Sequence, residues 1–391
     1  MSDDKKQLIC LLRSFVQESA PESAAPWNIV ALWQSCAQQN LLPVLAYENK
    51  RWKLFDDTKA CQQLDGILYG AVAGNLNRRV DFETLSKALS EHGIAHMPVK
   101  GYYLCRLYSL PELRTFGDID LLIHKADRQK THALMQNMGY LVDHDWEPTY
   151  SYRKDAEFYE IHTNLMDGNL DGRTDLQAYF SSAWEHAEPD EGLRFRPALD
   201  FHLIYTVCHL AKHLYGGGAG LRMYLDVALY IKHFDETLNW GKITDEFTTL
   251  HLMDFFCTVM NACRIWFGIE TICPLPEPDA ETLDALLSYT LGSDLFGHSR
   301  DHAVVRLRNA VEEKPSKAQL IRRMLFPSAD QISARYTFLQ HSPWLLPIAW
   351  IVRLFTNLKR IPLQMHTIRG VNAADPSEVD SYDSFMQKLG L

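Results

Sequence analysis

Arg114-Thr115-Phe116-Gly117-Asp118-Ile119-Asp120-Leu121-Leu122-Ile123 is the stretch whose reading decides the fold. From Asp118 onward it has the apolar content of a buried strand, interrupted by two carboxylates two residues apart. Successive strand side chains point to opposite faces, so Asp118 and Asp120 share one face while Ile119 and Leu121 share the other. The expectation is a core packed with Ile119 and Leu121, and two carboxylates projecting side by side from the sheet. Like charges held that close repel, and a cation between them removes the repulsion. A divalent metal meets that need, and Mg²⁺ is commonly held by one or two carboxylates plus substrate phosphates. An edge strand with two solvated aspartates is the plainer alternative.

On the N-terminal side, His96-Met97-Pro98-Val99-Lys100-Gly101 reads as a short strand ending in glycine, with a helix from Tyr102 to Tyr108. The free N–H groups at such a helix start can receive phosphate oxygens. On the C-terminal side, Lys125 to Met138 reads as a helix closed by Gly139. Residues 140–164 then read as β structure, with Tyr150 and Tyr152 in alternation and a strand over Glu157 to His162. Glu160 in that strand is the expected third carboxylate, with Asp155 and Glu157 as rivals. Three carboxylates facing a phosphate-binding turn fit a two-metal phosphoryl or nucleotidyl transfer site. In that reading Asp118, Asp120 and Glu160 are catalytic and hold Mg²⁺ or Mn²⁺. Lys100, Gly101 and Arg114 bind the nucleotide, unless the two cations merely pair with the carboxylates.

The flanks are helical. Leu8, Leu11, Leu12 and Phe15 follow helical spacing, as do Phe82, Leu85 and Leu89. Beyond about residue 195 strands fade, and helices are expected over Phe201 to Leu214, Leu221 to Phe234, Phe247 to Phe267, Glu281 to Leu291 and Ala318 to Leu325. The loop Gly216-Gly217-Gly218-Ala219-Gly220 reads as a flexible connector, because a phosphate cradle needs a preceding strand. The expected organisation is a helical region over 1–93, an α/β core over 94–195, a helical domain over 196–372 and a poorly ordered acidic tail over 373–391. The fold class is α+β, a mixed sheet with flanking helices.

His209 and His213 stand i, i+4 on one helix face, a spacing used for zinc. No glutamate follows His209 and no third ligand is evident, so packing or a polar contact at the domain interface is expected instead. Arg222 and Asp226 at i, i+4 read as an ion pair. Trp344 to Arg360 places apolar and aromatic residues near Arg353, Lys359 and Arg360, which suits helical core or a peripheral membrane contact.

The 391 residues carry a formal charge of -10, which argues against a duplex DNA footprint but leaves room for a local basic pocket. Eight cysteines occur without a C-x-x-C pair, a pattern of reduced thiols that excludes a disulfide framework or zinc ribbon. Met1 to Lys6 is polar, and the longest apolar run, Trp344 to Val352, is too short to span a bilayer. A cytoplasmic protein is expected.

Lys100-Gly101, Leu104, Leu107-Tyr108, Pro111, Leu113-Arg114, Gly117-Asp118-Ile119-Asp120-Leu121-Leu122, Gly139-Tyr140 and Glu160-Ile161-His162, taken in order, resemble the uncharacterised nucleotidyltransferase-like family of bacteria. That family belongs to the DNA polymerase β-like nucleotidyltransferase superfamily. The resemblance extends through His209, His213, Gly220-Leu221-Arg222 and Asp226 to Phe326-Pro327, Arg335-Tyr336, Leu345-Leu346-Pro347 and Ala349-Trp350, over about residues 95–355. It implies a minimal nucleotidyltransferase core in which an NTP donates its NMP to an acceptor hydroxyl. The chain departs from the superfamily at Gly101-Tyr102, where a small residue usually follows the glycine. A toxin-like enzyme that modifies tRNA or a protein is one alternative. A catalytically degenerate nucleotide-binding or assembly protein of a biosynthetic operon is another.

Overall fold

In the computed structural model of the chain, the described residues are 3–292 apart from 24–25, 116, 147, 167, 169 and 171–173, followed by 322, 325–332, 336, 338–356 and 376–391. Four helices open the chain: α1 (Asp3–Gln17), α2 (Ile29–Gln38), α3 (Leu42–Trp52) and the 34-residue α4 (Thr58–Glu91). Two of these helices, α2 and α4, start at a capping side chain. The Asn28 side chain accepts from the Ala31 N–H, and Asp57 does the same for Ala60, satisfying donors that a helix start leaves free.

Among the described residues a seven-stranded mixed sheet follows, in the order β3-β4-β5-β2-β1-β7-β6. The strands are β1 (His96–Pro98), β2 (Ile119–Ile123), β3 (Leu141–Trp146), β4 (Thr149–Lys154), β5 (Glu157–His162), β6 (Ala187–Glu191) and β7 (Arg194–Pro197). β2 and β5 run parallel with Asp120 opposite Glu160, while β1 is antiparallel to β2 and parallel to β7. The β3-β4-β5 meander follows the helix α6 (Arg128–Asn137), which ends at Gly139 in a left-handed conformation, φ +86°.

Both faces of the sheet are covered. Ile119, Leu121, Ile123, Tyr159 and Ile161 pack with Phe82, Leu85 and Leu89 of α4. Arg78 and Asp81 of α4 reach the same face: Arg78 pairs with Glu157 at 2.8 Å, and the Tyr140 and Tyr159 hydroxyls both donate to Asp81. The opposite face carries Asp120, Glu160 and His162 and meets α8 (Leu199–Tyr215) and α9 (Leu221–Phe234). These two helices share a core with α10 (Trp240–Thr249), α11 (Met253–Phe267) and the N-terminal helices, where Leu11 and Leu12 join Tyr224 and Phe255.

Several expectations change. The strands β6 and β7, in a stretch where no strand was expected, extend the sheet to Pro197, close to residue 195 where strands were expected to fade. The helix expected over Phe247 to Phe267 is two, because His251 turns left-handed at φ +56° between α10 and α11. The helix expected over Tyr102 to Tyr108 is a short one, α5 (Gly101–Leu104), then a 3-10 turn to Leu107 with Tyr108 extended. The glycine loop is no free connector: Gly217 and Gly218 are buried at φ +127° and +122°, and their N–H groups cap the end of α8. The tail expected to be poorly ordered forms a helix over Pro376–Leu389, with Tyr382, Met386 and Leu389 in the main core.

The Glu281 to Leu291 helix is found as α12 (Ala280–Gly292). Most of Ala318 to Leu325, together with Arg335, Lys359, Arg360 and residues 373–375, lies outside the described residues. Leu346–Thr356 is helical, with Trp344 78% and Ile351 57% exposed. Among the described residues no helix is long and apolar enough to cross a membrane.

Candidate active site

Strand alternation builds the site. In β2 the residues 119, 121 and 123 take the α4 face, which leaves Asp120 on the face toward α8; Asp118 sits just ahead of the strand, half-buried. β5 obeys the same parity. Glu157, Tyr159 and Ile161 face α4, so Glu160 and His162 come up beside Asp120. The rivals fall away on this geometry: Glu157 is engaged by Arg78 on the other face, and Asp155 forms the left-handed turn between β4 and β5.

Lys100 follows β1 and starts α5. Its backbone stands at φ +49°, ψ −116°, a region that non-glycine residues rarely occupy and that is commonest where function demands it. That conformation directs the ammonium to Asp120 Oδ1, 2.6 Å away, and places it 5.9 Å from the Tyr205 ring centre. His162 Nε2 lies 3.0 Å from the same oxygen and 3.6 Å from Glu160 Oε2. Asp120, Glu160 and His162 thus bring three donor atoms within 4.8 Å of one another.

These residues line a cleft of about 280 Å³ between sheet and helices, with Lys100, Gly101, Arg114, Asp118, Asp120 and Glu160 on the sheet side. Thr206, His209 and His213 of α8 and Arg222 and Asp226 of α9 form the facing wall. All six sequence-predicted site residues therefore border one cavity. Tyr102 does not. Its ring packs 4.1 Å from Phe82 on the other side of the sheet and its hydroxyl donates to Glu83, so it takes no room from the cleft.

The charges are unevenly settled. Burial favours a neutral Asp120, but Lys100 and then His162 outweigh it and hold this carboxyl well below the usual range. Burial and the charge of Asp120 push Asp118 up, against Lys100 and Arg222, and the same two causes push Glu160 up. His209 and His213 are kept neutral by burial and by the nearby Lys100, the second with its pKa lowered to about 4.

Arg114 is held by Asp226 in a two-pronged pair, Nε to Oδ1 and Nη2 to Oδ2, each 2.8 Å, and the Tyr108 hydroxyl donates to the same carboxylate. This replaces the expected Arg222–Asp226 pair. Arg222 instead donates through Nη1 to the Thr115 carbonyl, and its buried Nε has no hydrogen-bond partner among the described residues. Arg222 and His162 were the members that sequence reasoning passed over. His162 was available by the rule that placed Glu160, being two residues on along the same strand. Arg222 was hidden by helical spacing, which offered Asp226 as a partner that Arg114 takes first.

The donor set fits a divalent cation: carboxylates crowded enough that Asp120 pushes up both Asp118 and Glu160, with an imidazole beside them. A family model described as an uncharacterised nucleotidyltransferase matches residues 26–268 of the chain. The match reaches further into the N-terminal helices than the motifs over 95–355 do, and it leaves the segment from Phe326 to Trp350 outside. No curated protein and no solved structure matches the chain.

Proposed function

Because the chain belongs to the uncharacterised nucleotidyltransferase family, we propose that it transfers the nucleoside monophosphate of an NTP to an acceptor hydroxyl in a metal-dependent reaction. Family membership supports nucleotidyl transfer in general. The observation that carries the finer reading is the register of β2 against β5, which sets Asp120 opposite Glu160 beside Lys100 in one cleft.

In this reading Asp118, Asp120 and Glu160 hold the divalent cations, Mg²⁺ or Mn²⁺. Such ions, when bound, supply charge neutralisation at the phosphates and activation of the attacking oxygen. Lys100, Gly101 and Arg114 form the nucleotide side of the cleft, with Lys100 offsetting phosphate charge and Arg114, clamped to Asp226, fixing the chain ahead of Asp118. Arg222 on the facing wall adds a further cation to the cleft. The acceptor oxygen attacks the α-phosphorus in line, the bond to the bridging oxygen breaks, and pyrophosphate leaves. Glu160 takes the hydroxyl proton on the carboxylate oxygen that does not hold a cation. The facing His209 and His213, both neutral, close the cleft as polar contacts for substrate. Positioning and charge do most of the work in such a transfer.

A recess of about 230 Å³ lined by Arg78, Arg79 and Arg106 opens on the α4 side of the sheet with Ile119 and Tyr102, away from the cleft, so it does not speak for RNA over another acceptor. Tyr102, the residue that spoke for a degenerate nucleotide-binding protein, turns away from the cleft.

Incubation of the pure protein with each α-labelled NTP, Mg²⁺ or Mn²⁺, and cell extract tests the reading. Label is expected on RNA, protein or a small hydroxyl compound, with stoichiometric pyrophosphate. Asp118→Asn and Asp120→Asn are each expected to lower the rate by a factor of 100 or more, on the order of the loss when a charge-stabilising group is removed. Nucleotide binding without pyrophosphate release would instead make the chain a binding protein.

A further inference from the structure

We infer that His162 is a metal ligand, so that Asp120, Glu160 and His162 form a mixed oxygen and nitrogen centre that prefers Mn²⁺ or Co²⁺ to Mg²⁺. The inference rests on the proposed metal-dependent transfer and adds to it the composition and selectivity of the centre.

Three features carry it. His162 is buried, 6% exposed, on the strand face that also presents Glu160, and Asp120 lies across from Glu160 on the neighbouring strand. Its Nε2 is 3.0 Å from Asp120 and 3.6 Å from Glu160, so one ion can reach all three donors after small side-chain shifts. The other ring nitrogen, Nδ1, lies 3.1 Å from the Thr149 hydroxyl on β4, whose Cα is paired with that of His162. Ligating histidines nearly always use their second nitrogen in this way, because the outer hydrogen bond fixes the ring and its tautomer. Thr149 would accept from Nδ1–H, which leaves the Nε2 lone pair facing the carboxylates. Thr149 is then a positioning residue.

The donor set decides the ion. Mg²⁺ is a hard cation that takes oxygen ligands and keeps several waters. Imidazole binds the first-row transition ions more strongly, in the order Mn²⁺ below Co²⁺, while carboxylates accept either class. One nitrogen among oxygens therefore raises affinity for Mn²⁺ and Co²⁺ without helping Mg²⁺.

The test uses the full-length protein and its His162→Gln and Thr149→Val variants, with circular dichroism to verify the fold. MnCl₂, CoCl₂ and MgCl₂ are titrated by calorimetry, and the Mn²⁺ form is examined by pulsed EPR for coupling to ¹⁴N. Wild type is expected to show ¹⁴N coupling and tighter binding of Mn²⁺ and Co²⁺ than of Mg²⁺. His162→Gln should abolish the coupling and weaken Mn²⁺ roughly tenfold or more, with Mg²⁺ affected less. Thr149→Val should keep the coupling and weaken Mn²⁺ by about tenfold, the usual effect of losing an outer hydrogen bond. Bound Mn²⁺ without ¹⁴N coupling in wild type, or equal loss of Mn²⁺ and Mg²⁺ in His162→Gln, would overturn the inference. His162 would then orient Asp120 by a hydrogen bond, and metal-dependent transfer would stand. Absence of any divalent binding would remove both.

Discussion

Asp120 and Glu160 are partners across two strands, yet their surroundings move them in opposite directions. Asp120 has Lys100 as counter-charge and His162 as hydrogen-bond partner and is held well below its usual pKa, while Glu160 is raised by burial and by Asp120 itself. The signs then differ for stability. The contribution of Asp120 is present above the unfolded value, about 3.9, and is lost as pH falls through the folded one. Glu160 has a folded pKa above its unfolded one, so its ionisation costs stability as pH rises past about 4.3. In metal-free protein, Glu160→Gln is therefore expected to raise the melting temperature at pH 7, with the gain shrinking as pH is lowered toward about 4. Thermal scans across pH check this, and a gain that persisted at low pH would mean packing, not charge, was relieved. At this scale the sequence was a good guide where a single rule sufficed. Strand parity put Asp118 and Asp120 on one face, but the pairing of Arg114 with Asp226 joins residues far apart in the chain and left no local signal.

That pair belongs to the scale of elements. Arg114 precedes β2 and Asp226 lies in α9, so the buried two-pronged contact fastens the sheet to the helical wall of the cleft. Tyr108 adds a third hydrogen bond to the same carboxylate. Removing one member strands the other as a buried charge, which costs about 3–5 kcal/mol. Asp226→Asn and Arg114→Met should each fall in that range by urea denaturation. The double variant should lose less than the sum, because neither charge is then left alone. Additive losses would show that the two side chains act independently. Among elements, those with periodicity were legible: the spacing in α1 and α9, and the alternation in β5. The strands β6 and β7 were not. Ala187-Glu188-Pro189-Asp190-Glu191 is polar and carries a proline, which suits an edge strand but gives no apolar alternation to read. Its partner β7 has four residues, and the pairing that makes it a strand comes from β1 and β6, outside its own sequence.

Over the whole molecule, the last described helix ties the C-terminus into the main core. Pro376–Leu389 has an acidic, polar composition that masks a sparse apolar stripe, Tyr382, Met386 and Leu389, and that is why the segment read as a tail. Only the packed chain shows what the stripe meets. The Tyr382 hydroxyl donates to the Leu214 carbonyl at 2.6 Å, at the end of α8 where the glycine loop begins. Leu214 follows His213 of the cleft wall, so this contact braces the helix that carries His209 and His213. Gly390 closes the arrangement. Its φ of +86° already disfavours any side chain, and a Cβ there would sit 2.4 Å from the Phe255 backbone nitrogen on α11. Since the obstacle is backbone, it cannot rotate away. Gly390→Ala is therefore expected to cost at least about 2 kcal/mol from strain and overpacking, close to the effect of deleting both terminal residues. Tyr382→Phe removes one hydrogen bond and should cost about 1 kcal/mol. Chemical denaturation measures the three variants side by side. A fully stable Gly390→Ala protein would mean that the C-terminus does not dock against α11, and with it the bracing of the cleft wall would fall.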